Sequence, residues 1–169
     1  MTTITTTPTS TMITITASMR RSPRPAVLRV VGRSMEPTLS PGDLLLTLPV
    51  AGQRGDVVVF HHASGARYTK RVAGVGGDVI ELEAGQLRVN GRSIDGRAPV
   101  AGAIVARWRV PPGQVFVIGD NSHASDDSRT WNQPFVPAQA TRRALRVPNP
   151  VEALSRARRR SGTRPRPRA

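Results

Sequence analysis

The chain carries a single lysine, Lys70, beside 24 arginines. Arginine can fill most surface roles of lysine but effectively never gives up its proton. A lysine drawn out of water can be neutral near physiological pH. A lone lysine is therefore a candidate base, and a base needs a partner. Ser34 stands 36 residues earlier, in Gly32-Arg33-Ser34-Met35-Glu36-Pro37-Thr38-Leu39, just past an apolar run and two residues after a glycine. A serine at a strand end in such a turn can project its hydroxyl and offer its own backbone N–H to an oxyanion. Together the two residues allow nucleophilic acyl transfer, with a neutral amine accepting the hydroxyl proton. The segment does not fit Gly-x-Ser-x-Gly, and it has no lysine three residues on.

A third segment, Gly119-Asp120-Asn121-Ser122-His123-Ala124-Ser125-Asp126-Asp127-Ser128-Arg129, follows the apolar run 115–118. Its residue types suit a turn rich in Asx hydrogen bonds or a metal loop. An EF-hand is excluded, because the alternating ligands and the terminal glutamate are absent. Each piece has a plainer reading. An inward Lys70 must be neutral or paired, with Asp43, Asp56 and Asp78 as the available partners. His61, His62 and His123 offer a Ser-His-Asp triad, which geometry alone can decide. Met35 and Leu39 are either core residues or an apolar surface beside Ser34.

The elements that must position these residues read as strands. Short β-branched runs broken by glycine and proline predict strands over 26–31, 43–48, 56–61, 68–74, 79–83, 86–89, 104–109 and 114–118. Ala84-Gly85 and Asn90-Gly91 sit where hairpin turns belong. Helical periodicity is weak, with short helical turns expected over 34–39 and 137–145. The chain thus reads as one all-β domain over 26–148 without internal repeats. A threonine-rich segment, 1–25, precedes it and an Arg/Pro-rich tail, 149–169, follows, both expected to be disordered.

Composition bounds the rest. A length of 169 residues allows one domain with a real core, and with 38% apolar and 4% aromatic residues that core must rest on Val, Leu, Ile and Ala. The absence of cysteine excludes disulfides, thiolate metal sites and a cysteine nucleophile. No cofactor or metal is implied. The formal charge of +14 comes from 25 basic and 11 acidic residues, and seven arginines crowd 156–168. That stretch has too little apolar surface to fold and is expected to attract anions rather than to form a specific nucleic-acid site. No run of about 18 apolar residues encodes a transmembrane helix, and the first 18 residues lack the charged and apolar regions of a signal peptide.

Taken in order, the motifs resemble the type I signal peptidases, the S26 family of Ser/Lys proteases. The likeness runs from about Val30 to Val147. It takes in Ser34-Met35-x-Pro37-Thr38-Leu39, Pro41-Gly42-Asp43, and Arg54-Gly55-Asp56-Val57-Val58-Val59-Phe60. It continues through Lys70-Arg71-Val72-x-Gly74, Gly77-Asp78, Val89-Asn90-Gly91 and Gly119-Asp120-Asn121 to Ser125-x-Asp127-Ser128-Arg129. The resemblance implies a signal-peptidase/SOS-repressor-like β-barrel-type catalytic domain. It implies Ser34 as nucleophile, Lys70 as general base, Ser125 as the hydroxyl orienting the amine, and Asp127 with Arg129 as a supporting ion pair. It places an oxyanion at the Ser34 N–H, with Gly32 where some relatives have a helping hydroxyl. The implied substrates are signal peptides of exported preproteins, cleaved after small residues at the first and third positions before the scissile bond. The implied location is a membrane surface, with the catalytic domain extracytoplasmic. A specialised maturation peptidase, for conjugation or nickel superoxide dismutase processing, is the alternative within the fold. A self-cleaving SOS-type regulator is disfavoured, since the residues before Ser34 hold neither a helix-turn-helix nor a cleavage segment. The chain departs from the family pattern at Gly76, at Thr130-Trp131-Asn132-Gln133-Pro134, and in lacking an anchor helix ahead of Ser34.

Overall fold

The computed structural model describes residues 24–62, 64–94 and 104–148. Among these residues lie β1 (Ala26–Arg29), β2 (Leu44–Leu48), β3 (Val57–His61), β4 (Arg67–Val75), β5 (Val79–Glu83) and β6 (Gln86–Val89). They are followed by β7 (Arg92–Ser93), β8 (Ile104–Arg109), β9 (Gln114–Ile118), β10 (Phe135–Pro137) and β11 (Arg142–Val147). Single 3₁₀ turns occupy Ser122–Ala124 and Ala138–Ala140. The expected all-β class is what forms. The segments 1–23 and 149–169, which hold most of the proposed flanks, lie outside the described residues.

Seven strands make one sheet in the order β1-β2-β11-β3-β4-β9-β10, and four make a second in the order β7-β6-β5-β8. All neighbours are antiparallel, so one apolar face per strand suffices. The core divides into three parts. Val30, Met35, Leu39, Leu45, Val59 and Ala144 pack under the turn that carries Ser34. Val58, Phe60, Val72, Val115, Val117 and Val136 fill the middle of the large sheet. Ala73, Ile80, Leu87, Val89, Val110 and Phe116 join the two sheets. Met35 and Leu39 are therefore core residues, 1% and 2% exposed. Burying such side chains contributes about 1.5–3 kcal/mol each, and here that energy fixes the turn between them.

Residues 34–39 close the one helical turn expected there, with the Leu39 N–H donating to the Met35 carbonyl at 2.8 Å, and the pattern does not propagate. The expectation over 137–145 needs correction, because its helical turn is confined to Ala138–Ala140. After the 3₁₀ turn the chain becomes β11, inserted between β2 and β3 and paired to both. The backbone bonds available on both sides outweigh a local sequence that does not alternate.

The hairpin turns lie where glycine predicted them. At the β5–β6 turn Ala84 and Gly85 both have positive φ, 47° and 76°, as a type I′ turn requires. An alanine there carries a Cβ penalty that asparagine tolerates better. Ala84→Asn should raise stability by about 0.5–1 kcal/mol, read as a shifted denaturant midpoint at unchanged slope.

Candidate active site

Lys70 lies on the inward side of β4, opposite Val58 in β3, and is 2% exposed. A buried ammonium needs a carboxylate, but the three considered from the sequence are engaged elsewhere. Asp43 pairs with Arg146, Asp56 with Arg143, and Asp78 with Arg54. The Lys70 Nζ instead donates to the Ser125 Oγ at 2.8 Å. Burial pushes the Lys70 amine below the ordinary lysine range. Asp127 and Asp126 pull it upward, and the Arg129 charge adds to the depression. The amine also sits 5.5 Å from the centre of the Tyr68 ring.

Ser125 passes the connection on: its hydroxyl donates to Asp127 Oδ2 at 2.5 Å. Asp127 is fully buried. Its Oδ2 also accepts from the Gly119 N–H at 2.8 Å and Arg129 Nη2 at 2.7 Å, and its Oδ1 accepts from Arg129 Nε at 2.8 Å. Burial alone would raise this carboxyl. The bonds from Arg129, Ser125 and Gly119, with the Arg129 charge, outweigh it and hold the group below the usual carboxylate range. Because Ser125 gives its only proton to Asp127, it faces Lys70 as an acceptor.

Ser34 is half-buried in the turn after β1. Its carbonyl accepts from the Asn121 N–H at 3.0 Å, which ties the turn to the loop after β9. Its own N–H and hydroxyl form no hydrogen bond among the described residues. Ser34 and Lys70 line one cleft of about 370 Å³, walled by residues 29–35 and 67–70, with Ala124 and Asp126 at the side. The structure thus brings together Ser34, Lys70, Ser125, Asp127 and Arg129. Gly32 lines the same cleft, with open space where a Cβ would stand. The histidines are elsewhere engaged or exposed: the His62 ring lies 4.4 Å from that of Trp131, while His61 and His123 face solvent.

Two contributors have roles that the sequence did not disclose. Arg71 binds Asp120 through Nε at 2.8 Å and Nη2 at 2.6 Å, and donates to the Gly55 carbonyl at 2.7 Å and the Thr38 hydroxyl at 3.4 Å. One guanidinium thereby ties the Ser34 turn to two other loops. Its adjacency to Lys70 and the run Gly119-Asp120-Asn121 were the only hints. Gly119 is the second. A Cβ built there would stand 2.2 Å from Ser125 Oγ and 2.5 Å from the Ser34 carbonyl oxygen. Gly119→Ala should lower kcat/KM by about 100-fold, a larger effect than its change in melting temperature implies, as parallel kinetics and thermal unfolding would show.

Comparison with known proteins points to one family. The profile of the family described as signal peptidase, peptidase S26, matches residues 4–143. A signal peptidase I of Bacillus caldolyticus is 36% identical over 121 residues, covering 59% of this chain and 66% of the relative. A signal peptidase I of Pseudomonas fluorescens is 32% identical over 154 residues, covering 62% of this chain and 54% of the relative. The chain therefore spans between about half and two thirds of the length of these relatives. A crystal structure of a signal peptidase I from Enterococcus faecalis V583 aligns with a TM-score of 0.43 at 27% identity, over 56% of this chain and 96% of that one.

Proposed function

The chain belongs to the S26 signal peptidase family, and on that premise we propose that it is a serine endopeptidase that removes signal peptides from exported preproteins through an acyl-enzyme. The observation that supports this most is the buried Lys70 amine. It is held by Ser125, has no ion-paired carboxylate among the described residues, and shares a cleft with Ser34. Ser125 accepts from the amine, so the lone pair of a neutral Lys70 stays free for another proton. In acylation Lys70 takes the Ser34 hydroxyl proton as Oγ attacks the scissile carbonyl. The developing oxyanion is met by the Ser34 N–H. Lys70 then returns its proton to the leaving amine. For deacylation it deprotonates a water, which hydrolyses the ester and frees Ser34. Small residues at the first and third positions before the scissile bond fit the reading, as does catalysis at the extracytoplasmic membrane surface. Among the described residues no helix is long and apolar enough to cross a membrane.

The test is incubation of the full chain in detergent with a preprotein containing Ala-x-Ala before its mature sequence. Mass spectrometry should find a single cut after the second alanine, and denaturation during turnover should trap acyl mass on Ser34. Both signals should vanish in Ser34→Ala. Cleavage that survives Ser34→Ala and Lys70→Ala alike would sink the dyad.

A further inference from the structure

The cleft holding Ser34 and Lys70 is also a concentration of unneutralised charge. Arg29 and Arg33 lie along one wall and Arg67 on the other, with Asp126 the carboxylate that faces them. The carboxylates of the described region are largely spoken for. Arg54, Arg71, Arg88, Arg107, Arg129, Arg143 and Arg146 all have one as partner. Those at the cleft do not. The Arg33 and Arg67 side chains are exposed and make no hydrogen bond or ion pair among the described residues. Among the described residues Arg29 makes only a 3.2 Å donation to the Gly42 carbonyl. Asp126 is itself occupied, accepting from the Tyr68 hydroxyl at 3.3 Å and the Thr130 hydroxyl at 2.8 Å.

We propose that this cleft selects acidic peptide segments, with Arg33 and Arg67 as specificity-determining residues that pair with carboxylates within about five residues of the scissile bond, the reach of an extended chain along the walls. The inference rests on the reading that a peptide occupies the cleft, and it adds a substrate class to that reading. Guanidinium groups on opposite walls enclose a strand from both sides, an arrangement suited to a peptide rather than to a flat lipid surface. The surplus positive charge should also disfavour lysine and arginine at the same positions.

The experiment uses the full chain and one peptide framework with Asp, Asn or Lys placed in turn at each position flanking an Ala-x-Ala cut. At low ionic strength a peptide with two aspartates should show about tenfold higher kcat/KM than its asparagine counterpart, and the advantage should shrink to about twofold in high salt. In the R33E/R67E double variant the Asp-to-Lys preference should invert. That ratio does not depend on how much enzyme is folded or active. Fluorescence anisotropy of the same labelled peptides with Ser34→Ala reads the preference in Kd without cleavage. An equal preference in wild type and double variant, as attraction to the distal arginine-rich tail would produce, overturns the proposal, and so does no preference at all. Loss of anionic-vesicle binding in the double variant without any change in the peptide ratio overturns it as well. Charge-selective binding with no Ser34-dependent cleavage would uphold it while removing the protease reading.

Discussion

Replacing Lys70 with arginine should lower kcat/KM by at least about 10⁴-fold, the scale seen when one member of a coupled nucleophile–base pair is lost. The substitution keeps a positive side chain of similar reach, so it isolates the ability to be neutral. Arginine cannot deprotonate, and among the described residues the Ser34 hydroxyl has no hydrogen-bonded base that could take over. The pH profile of the wild type carries the same argument with a definite sign. Only the neutral amine can take the Ser34 proton, so kcat/KM should rise with pH and level off as Lys70 loses its proton. Burial depresses that transition below the ordinary lysine value, so the plateau should be reached at lower pH than a solvent-exposed lysine would allow. A rate that climbs without a break to about pH 10.4, the ordinary value for lysine, would argue against a desolvated base. Because the chain has no cysteine, Lys70→Cys creates one thiol, and its conversion to an S-aminoethyl group should return part of the activity. That rescue separates a missing amine from a damaged fold.

That Ser34 and Lys70 share one cleft could be anticipated from the sequence, because one lysine among arginines stands out as a candidate base and the motif around Ser34 as a candidate nucleophile. Hairpin turns were equally legible: Gly85, Asn90 and Gly91 adopt the positive φ values that their residue types favour, with Ala84 drawn along beside Gly85, and β5 and β6 end where those signals place them. What stayed hidden depends on partners far along the chain. The Arg-Arg-Ala-Leu-Arg-Val run of β11 has a single buried side chain, Ala144, and becomes a strand because β2 and β3 leave a space between them. Gly119 looks like a turn residue, yet its requirement comes from Ser34 and Ser125 closing on it from two directions. Arg71 reads as an ordinary outward strand residue until Asp120, Gly55 and Thr38 converge on it. Pairing across 49 positions, as in Arg71 with Asp120, leaves no periodic trace.

The most informative test of how the site is supported is Asp127→Asn. It should cost about 3–5 kcal/mol of stability, the scale of removing one partner from a buried pair, and should lower kcat/KM by about 100-fold. Every group directed at the Asp127 carboxylate is a donor: Ser125, Gly119 and Arg129 at Oδ2, and Arg129 at Oδ1. An amide placed there must therefore turn its NH₂ toward a donor in either orientation. If the NH₂ takes the Oδ2 position, Ser125 can no longer give its proton to it and must turn toward Lys70, occupying the lone pair that acylation needs. Ser125→Ala leaves the Asp127–Arg129 pair intact while removing that hydroxyl. It should cost only about 1 kcal/mol of stability yet lose activity to a similar degree, and the two variants together separate holding the fold from orienting the amine. Acid titration adds an independent check. Asp127 is held below the usual carboxylate range in the folded protein, so its contribution is present above the unfolded value of about 3.9 and is lost as pH falls through the depressed folded value. In Asp127→Asn that part of the acid limb should disappear, leaving unfolding free energy flatter below about pH 4. An acid limb identical to wild type would mean that Asp127 is not the carboxylate whose charge holds this loop.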